Sequence, residues 1–171
     1  MGIIKDFGEK PLTKDDTYRE GKFYSELWGK EITVMLFDEE VTLEYAEKCA
    51  ESMNTMPPEL VDKICRAAKL FCVEFLDEIS DECREELNLP VDENTPPAEM
   101  LKYFTPTVLS VEFPQDPAKT GYTIECNCDW EEEHGMEIDI LDNELVFLSE
   151  FSGSSPWYDH SDEGWNYAAQ I

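Results

Sequence analysis

Apolar and polar residues alternate along several stretches of the chain, and this alternation predicts β-strands. The clearest stretches are 122–130 and 136–141, where every second residue is apolar. Asp142 and Asn143 follow the second stretch, and both residue types tolerate the positive φ angles of a tight turn. The same kind of pattern predicts further strands over 23–28, 32–37, 107–113 and 145–151.

A helical period replaces the alternation in the middle of the chain. Apolar residues between 43 and 53 recur three or four positions apart, and a similar stripe runs from 60 to 75. Pro57 and Pro58 separate the two stripes, and proline is well suited to the first turn of a helix. The order of strands, helices and strands predicts an α+β fold, with the helices packed on one face of an antiparallel sheet.

The length of 171 residues fits one domain, which we expect to span 1–171. A helical insert is predicted over about 80–104. Ser80 is the expected cap of its first short helix, and Thr95 the expected cap of a second. A C-terminal tail, 152–171, follows the last predicted strand. Its Trp and Tyr residues either attach the tail to the core or contact a partner.

Charge is the unusual feature of the composition. The chain holds 13 Lys and Arg against 40 Asp and Glu, a net charge of −27. Such a balance argues against nucleic-acid binding and against docking on an anionic membrane. Residues 1–37 are nearly neutral, whereas residues 121–171 contain thirteen acidic residues and no Lys or Arg.

The alternation places several of these carboxylates on one face of the predicted 122–141 hairpin. Glu125, Asp129, Glu137 and Asp139 would share that face, and the hairpin loop adds further acidic residues. Like charges on neighbouring strands destabilise a sheet, so the row has either a solvating role or a binding role for cationic partners. The partner-binding residues predicted on this basis are Glu125, Asp129, Glu131, Glu132, Glu133, Glu137, Asp139, Trp157 and Tyr158.

Candidate chemistry is sparse. The six cysteines are expected to be reduced and buried as small apolar residues, since Cys126 and Cys128 lack the second cysteine pair of a usual zinc site. His134 and His160 are the only histidines, and no nucleophile or phosphate-binding motif accompanies them. We therefore assign no catalytic residue, no metal ligand and no cofactor. The absence of a recognisable signal peptide predicts a cytoplasmic protein.

Four segments, together with the two predicted helices, carry a resemblance to a known family: Asp6-Phe7-Gly8, Gly21-Lys22-Phe23, the run from Trp28 to Val34, and the run from Cys128 to Ile138. Trp130, Glu133, His134 and Gly135 are its most distinctive residues. The chain resembles a family of small bacterial proteins of unknown function over roughly residues 3–78 and 105–151. Relatives of that family resemble immunity or accessory proteins of polymorphic toxin systems. The resemblance implies no catalytic residues.

Charge and resemblance together predict a non-enzymatic, immunity-type protein that binds and neutralises a basic toxin or a basic nucleic-acid-binding protein. A basic partner is expected because its own phosphate-seeking surface would be attracted by carboxylates. Two alternatives stay open. One is a metal-dependent sensor or hydrolase, and the other is a housekeeping protein whose acidic surface serves solubility alone.

Overall fold

The computed structural model describes residues 2–161 and 164–171, which form a seven-stranded sheet with helices on one face. Neighbouring strands are antiparallel except for the third and fourth, which are parallel. The predicted α+β fold is confirmed, with this one parallel pair as a difference. In sequence order, which is also their order in the sheet, the strands are β1 (Lys5–Pro11), β2 (Thr17–Ser25), β3 (Lys30–Leu36), β4 (Phe104–Ser110), β5 (Gly121–Cys128), β6 (Met136–Leu141) and β7 (Glu144–Glu150).

Two helices, α1 (Leu43–Asn54) and α2 (Pro58–Glu78), lie in the crossover between β3 and β4. Thr42 caps α1 by accepting the N–H of Tyr45 at 3.1 Å. The predicted break at the two prolines is confirmed, with Pro58 in the first turn of α2. A helical crossover returns the chain to the sheet in the same direction, which explains the parallel pair. The core includes Cys49, Ile64 and Phe71 from the helices and Val34, Ile124 and Ile138 from the sheet.

The insert between α2 and β4 agrees with the sequence in its first half. Helix α3 (Asp81–Leu87) begins where predicted, and the Ser80 hydroxyl accepts the N–H of Cys83 at 3.2 Å. The second element is a 3-10 helix, Pro97–Lys102. Thr95 does not cap it, so that prediction is wrong. Its hydroxyl instead accepts the N–H of Asp92 at 3.0 Å and closes the preceding turn.

The β1 strand was not expected from the pattern, which indicates only an extended start. Its residues are largely exposed and charged, so they show no apolar alternation. A register shift between Lys5 and Gly8 and a positive φ at Asp6 interrupt its pairing with β2. Such irregularities are typical of edge strands that resist pairing with other chains.

The sheet has a helix face and a second face, and the tail covers part of the second one. Residues 152–161, which we call the strap, cross β5, β6 and β7 on that side. The Trp157 ring lies against Gly121, and the His160 ring centroid is 5.0 Å from that of Phe147. Further on, the Asn166 side chain binds the outer edge of β7, accepting the N–H of Leu148 at 3.1 Å.

The tail therefore attaches to the core, as one of the two sequence interpretations predicted. Beyond the edge of β7, the Tyr167 ring stacks on Phe71 of α2 with 5.1 Å between centroids. Among the residues that the structure describes, no helix is both long enough and apolar enough to cross a membrane.

Candidate functional site

A groove of about 640 Å³ lies where α2, α3 and the β5–β6 loop meet. Its apolar lining comes from Phe75 and Ile79 at the end of α2, from Leu87 in α3 and from Trp130 after β5. Cys83, on the exposed surface of α3, also lines the groove. Five carboxylates complete the lining: Glu86, Glu131, Glu132, Glu133 and Glu150.

Trp130 gives the groove a fixed floor. Its side chain is 1% exposed and meets the Phe71 ring edge to face, with 5.6 Å between centroids. Because Phe71 also stacks on Tyr167, three aromatic rings, from the β5–β6 loop, α2 and the C-terminal tail, pack one against the next. Aromatic contacts of this geometry add about 0.5–1.5 kcal/mol each beyond simple burial. The floor is therefore preformed rather than assembled on binding.

Glu131 organises the loop that forms one wall. One of its carboxylate oxygens accepts the N–H groups of Glu133 at 3.0 Å and His134 at 3.3 Å. The other oxygen lies 2.7 Å from Nδ1 of His134. Gly135 closes the turn with a φ of +72°, and a Cβ there would collide with the carbonyl oxygen of Cys126. The loop sequence thus requires both the glutamate and the glycine.

The pKa of His134 is raised above its usual value, first by its hydrogen bond to Glu131 and then by the charge of that carboxylate. Glu150 and Glu133 act in the same direction. A protonated imidazole at this position would offset part of the negative charge of the wall.

Little other positive charge offsets the carboxylates around the groove. Residues 77–86 contain six Asp and Glu, and residues 129–134 contain four more. Arg84 is the only Lys or Arg in these two segments, and it already pairs with Asp77 at 3.2 Å. The surface combines an apolar floor with an acidic rim.

Several predicted partner-binding residues are exposed, as a binding role requires. Glu132 and Glu133 are exposed on the groove wall. Asp129 is exposed nearby, and its pKa is raised by partial burial and then by the charge of Glu132. Tyr158 is 59% exposed and lines a separate depression on the outer side of the strap, together with Trp165.

Other predicted residues are not on the surface, which corrects the expectation of a continuous acidic face. Glu137 and Asp139 are both 0% exposed, because the strap lies over the face of β6 that they occupy. Glu131 is buried within its own loop. Glu125 is half-buried opposite Glu137, and Trp157 is half-buried against Gly121. The alternation identified the right face, but it could not show that the tail covers it.

The only metal-compatible group found among the described residues is Glu131, His134 and Glu150, whose ligand atoms lie within 4.8 Å of one another. Both oxygens of Glu131 already interact within the loop, one with the N–H of Glu133 and the other with Nδ1 of His134. Cys126 and Cys128 are buried, and burial raises the pKa of the Cys128 thiol to about 12. Both thiols pack within the hydrophobic core, as small apolar residues do. All six cysteines are free, and Cys83 alone is exposed.

Sequence analysis missed the half of the groove that comes from the helices. The sequence places Phe75 in the apolar stripe of α2 and predicts α3 only as a short helix after Ser80. A signal was present in the clustering of six acidic residues within 77–86, close to Ile79 and Leu87. Contact between this segment and the β5–β6 loop depends on the tertiary fold, so no local pattern indicates it.

A family profile described as a domain of unknown function, DUF6985, matches residues 8–155. No curated protein and no solved structure gives a significant match. The profile match agrees with the resemblance to an uncharacterised family. The link to toxin systems and to bacteria stays a prediction.

Proposed function

Since the chain belongs to the DUF6985 family, whose function is unknown, we propose a function from its surface: a non-enzymatic protein that binds a basic, partly apolar segment of another protein. The observation that carries this proposal is the groove, where an apolar floor is surrounded by five carboxylates and His134 is the one basic side chain among the described lining residues. Immunity toward a basic toxin is one biological setting that such binding would suit.

The apolar floor supports binding rather than solubility alone. Phe75, Ile79 and Leu87 are only partly buried, so a partner could cover more of their surface. Burial of apolar area contributes about 25 cal/mol per Å². A surface that serves only to keep a protein in solution needs carboxylates, but it gains nothing from an apolar groove between them.

The acidic rim supports a cationic partner. Fields of one sign around a cleft raise association rates by about 10–10³-fold at low salt. Lys and Arg side chains suit this groove in a second way, because their methylene stems can lie on apolar surface while the charged ends reach carboxylates. An amphipathic segment rich in Lys and Leu is therefore the simplest probe.

Cys83 offers a direct test, since it is the one exposed cysteine and it borders the groove. A fluorophore on Cys83 should report the binding of a 15-residue Lys/Leu amphipathic peptide. Lys/Ser and Glu/Leu peptides of equal length serve as controls. We expect the Lys/Leu peptide to bind more tightly than either control, with an affinity that falls as salt rises. Equal binding of Lys/Leu and Lys/Ser peptides would contradict the role of the apolar floor.

Charge reversal distinguishes the effect of the groove carboxylates on peptide affinity from the effect of the protein's net charge. Replacing Glu86, Glu132 and Glu133 by Lys should weaken peptide binding on the order of tenfold. The matched control reverses Glu9, Asp15 and Glu26, three exposed residues of the β1–β3 region, and changes the net charge equally. If both triple variants lose affinity to the same extent, the acidic surface acts only through its overall charge.

A metal-dependent sensor is the second candidate, favoured by the convergence of Glu131, His134 and Glu150. Imidazole and carboxylate ligands suit Zn²⁺. Calorimetric titration with zinc alone, on wild type and on His134→Gln, tests it. Stoichiometric binding that the variant loses would favour this function over peptide binding.

A further inference from the structure

Two carboxylates are buried side by side beneath the strap. Glu137 and Asp139 alternate with apolar residues along β6, so both point to the second face of the sheet. In the register of β5 and β6, Glu125 lies opposite Glu137, and Thr123 lies opposite Asp139. Two ionised carboxylates so close to each other in a buried site repel strongly, and such pairs usually retain one proton.

Glu137 is the partner of the strap backbone. One oxygen, Oε1, accepts the N–H groups of Ser152 at 3.0 Å, Gly153 at 3.1 Å and Ser154 at 3.2 Å. Three converging N–H groups stabilise an ionised carboxylate. The geometry therefore assigns the negative charge of the pair to Glu137 and attaches the strap to β6 through it.

Asp139 occupies a different environment. Its Oδ1 accepts the hydroxyl proton of Thr123 at 2.5 Å. Its Oδ2 and the Oε2 of Glu137 are buried and make no hydrogen bond to the residues that the structure describes. The Ser154 hydroxyl, which is also buried and unpaired, interacts with Asp139 and can donate to one of these two oxygens, so the other still lacks a donor. Two buried acceptors on neighbouring carboxylates become satisfied when one of them carries a proton and donates it to the other. Burial, followed by the charge of Glu137, raises the pKa of Asp139 to about 8.

We propose that Glu137 and Asp139 share one proton and that this proton holds the strap closed on the sheet. With the proton present, the pair carries a single negative charge, which the three strap N–H groups bind. Loss of the proton to water leaves two charges in a buried site, and release of the strap allows water to reach both. The strap is thus a latch that opens as the pH rises.

Among the described strands and the strap that surround the pair, no Lys or Arg is present to stabilise two negative charges. The titratable neighbours are Glu125 on β5, Glu112, which accepts a hydrogen bond from Ser155 of the strap, and His160, which packs on Phe147. The sequence from 121 to 171 has no Lys or Arg. On β7 the residues opposite the pair are Phe147 and Ser149, neither of which is charged.

The direction of the pH effect follows from which state of the strap binds the extra proton. In the closed state the pKa of Asp139 is raised from 3.8 to about 8, whereas in the open state it would return toward its ordinary value. The closed state therefore binds the extra proton between about pH 4 and pH 8. Over that range the open fraction should rise with pH, by up to about tenfold per pH unit, and it should level off above pH 8.

Hydrogen exchange of the Ser152, Gly153 and Ser154 amides, measured from pH 5 to pH 9 and corrected for intrinsic exchange, tests the latch. Protection in wild type should fall across this range. Asp139→Asn keeps a donor toward Glu137 and cannot lose it as a proton, so its protection should stay constant. Asp129→Asn makes the same change on an exposed carboxylate and should retain the wild-type profile. A wild-type protection that does not vary with pH would overturn the proposal.

A second measurement does not depend on any variant. Carboxyl ¹³C chemical shifts in the wild-type protein should show Asp139 titrating well above the exposed aspartates. Titration of Asp139 near pH 4 would overturn the shared proton. A third measurement follows the protection of the strap amides as Ca²⁺ is added at constant pH. Protection that rises with calcium, rather than with protons, would show that the pair holds a metal cation instead.

Discussion

The two faces of the β5–β6 hairpin are both buried, but by different means. On the helix face Ile124 and Ile138 lie within the hydrophobic core beneath α1 and α2. On the second face, one residue away along the same strand, the strap covers Glu137 and Asp139 and donates backbone N–H groups to Glu137, while Thr123 of β5 donates to Asp139. Apolar packing does not change with pH, whereas the attachment of the strap to the second face depends on the charge of the two carboxylates.

This difference shows how a strongly acidic chain can distribute its charge. Most carboxylates around the groove, such as Glu86, Glu132 and Glu133, are exposed and available to a partner. The pair beneath the strap is removed from water and acts within the protein. The helices cover one face of the sheet and the tail covers the other. We therefore expect the helix face to stay packed while the strap can detach from the second face.

The largest effect should come from the helix face. Ile138→Ala removes a fully buried side chain from the core and should lower the free energy of unfolding by about 3–4 kcal/mol. Urea denaturation at pH 6 gives the measurement. We expect the protection of the strap amides relative to the rest of the chain to be unchanged, since Ile138 faces away from them. Preferential opening of the strap in this variant would show that the two faces are not independent.

Substitution of the adjacent residue, Glu137, should lower the free energy of unfolding less and should act mainly on the strap. Glu137→Ala removes the acceptor of three strap N–H groups, and each partly buried hydrogen bond to a charged group contributes about 1.5–3 kcal/mol. The strap can detach and let water bind these groups, which should limit the global loss to about 2 kcal/mol.

Limited proteolysis within residues 152–161, alongside urea denaturation, distinguishes this outcome from a loss of the core. Cleavage of Glu137→Ala should be faster than that of Ile138→Ala at equal overall stability. Equal cleavage of the two variants would mean that Glu137 does not hold the strap.

Much of the fold was predictable from local patterns. The period of 3.6 located α1 and α2, Ser80 marked the start of α3, and Asp142 and Asn143 both adopt the positive φ angles expected of the β6–β7 turn. These features depend on residues close together in sequence, where propensity and hydrogen bonding act directly. Strand β1 was missed because an exposed, irregular edge strand has no apolar alternation.

The candidate site was predicted only in part, and the reason is physical. Alternation with a period of two shows which residues share a face, but it does not show what covers that face. Glu132 and Glu133 were correctly placed on the surface, whereas Glu137 and Asp139 were not, because the strap comes from a distant segment. The groove likewise needs α2, α3 and the β5–β6 loop to meet, which only the tertiary fold determines.

The smallest effect concerns the point where the tail crosses the edge of the sheet. Asn166 accepts the N–H of Leu148 at 3.1 Å and donates to the carbonyl of Val146 at 2.9 Å, so its side chain acts as a short extension of the sheet. Asn166→Ala leaves a buried N–H without its partner and should cost about 1 kcal/mol. Gln170→Ala is the matched control, because that amide is exposed and makes one long contact of 3.5 Å with Gly164. Thermal unfolding should show a lower melting temperature for the first variant and no change for the second. Exchange of the Leu148 amide should also rise only in Asn166→Ala, and equal effects in both variants would place the attachment of the tail elsewhere, in the stacking of Tyr167 on Phe71.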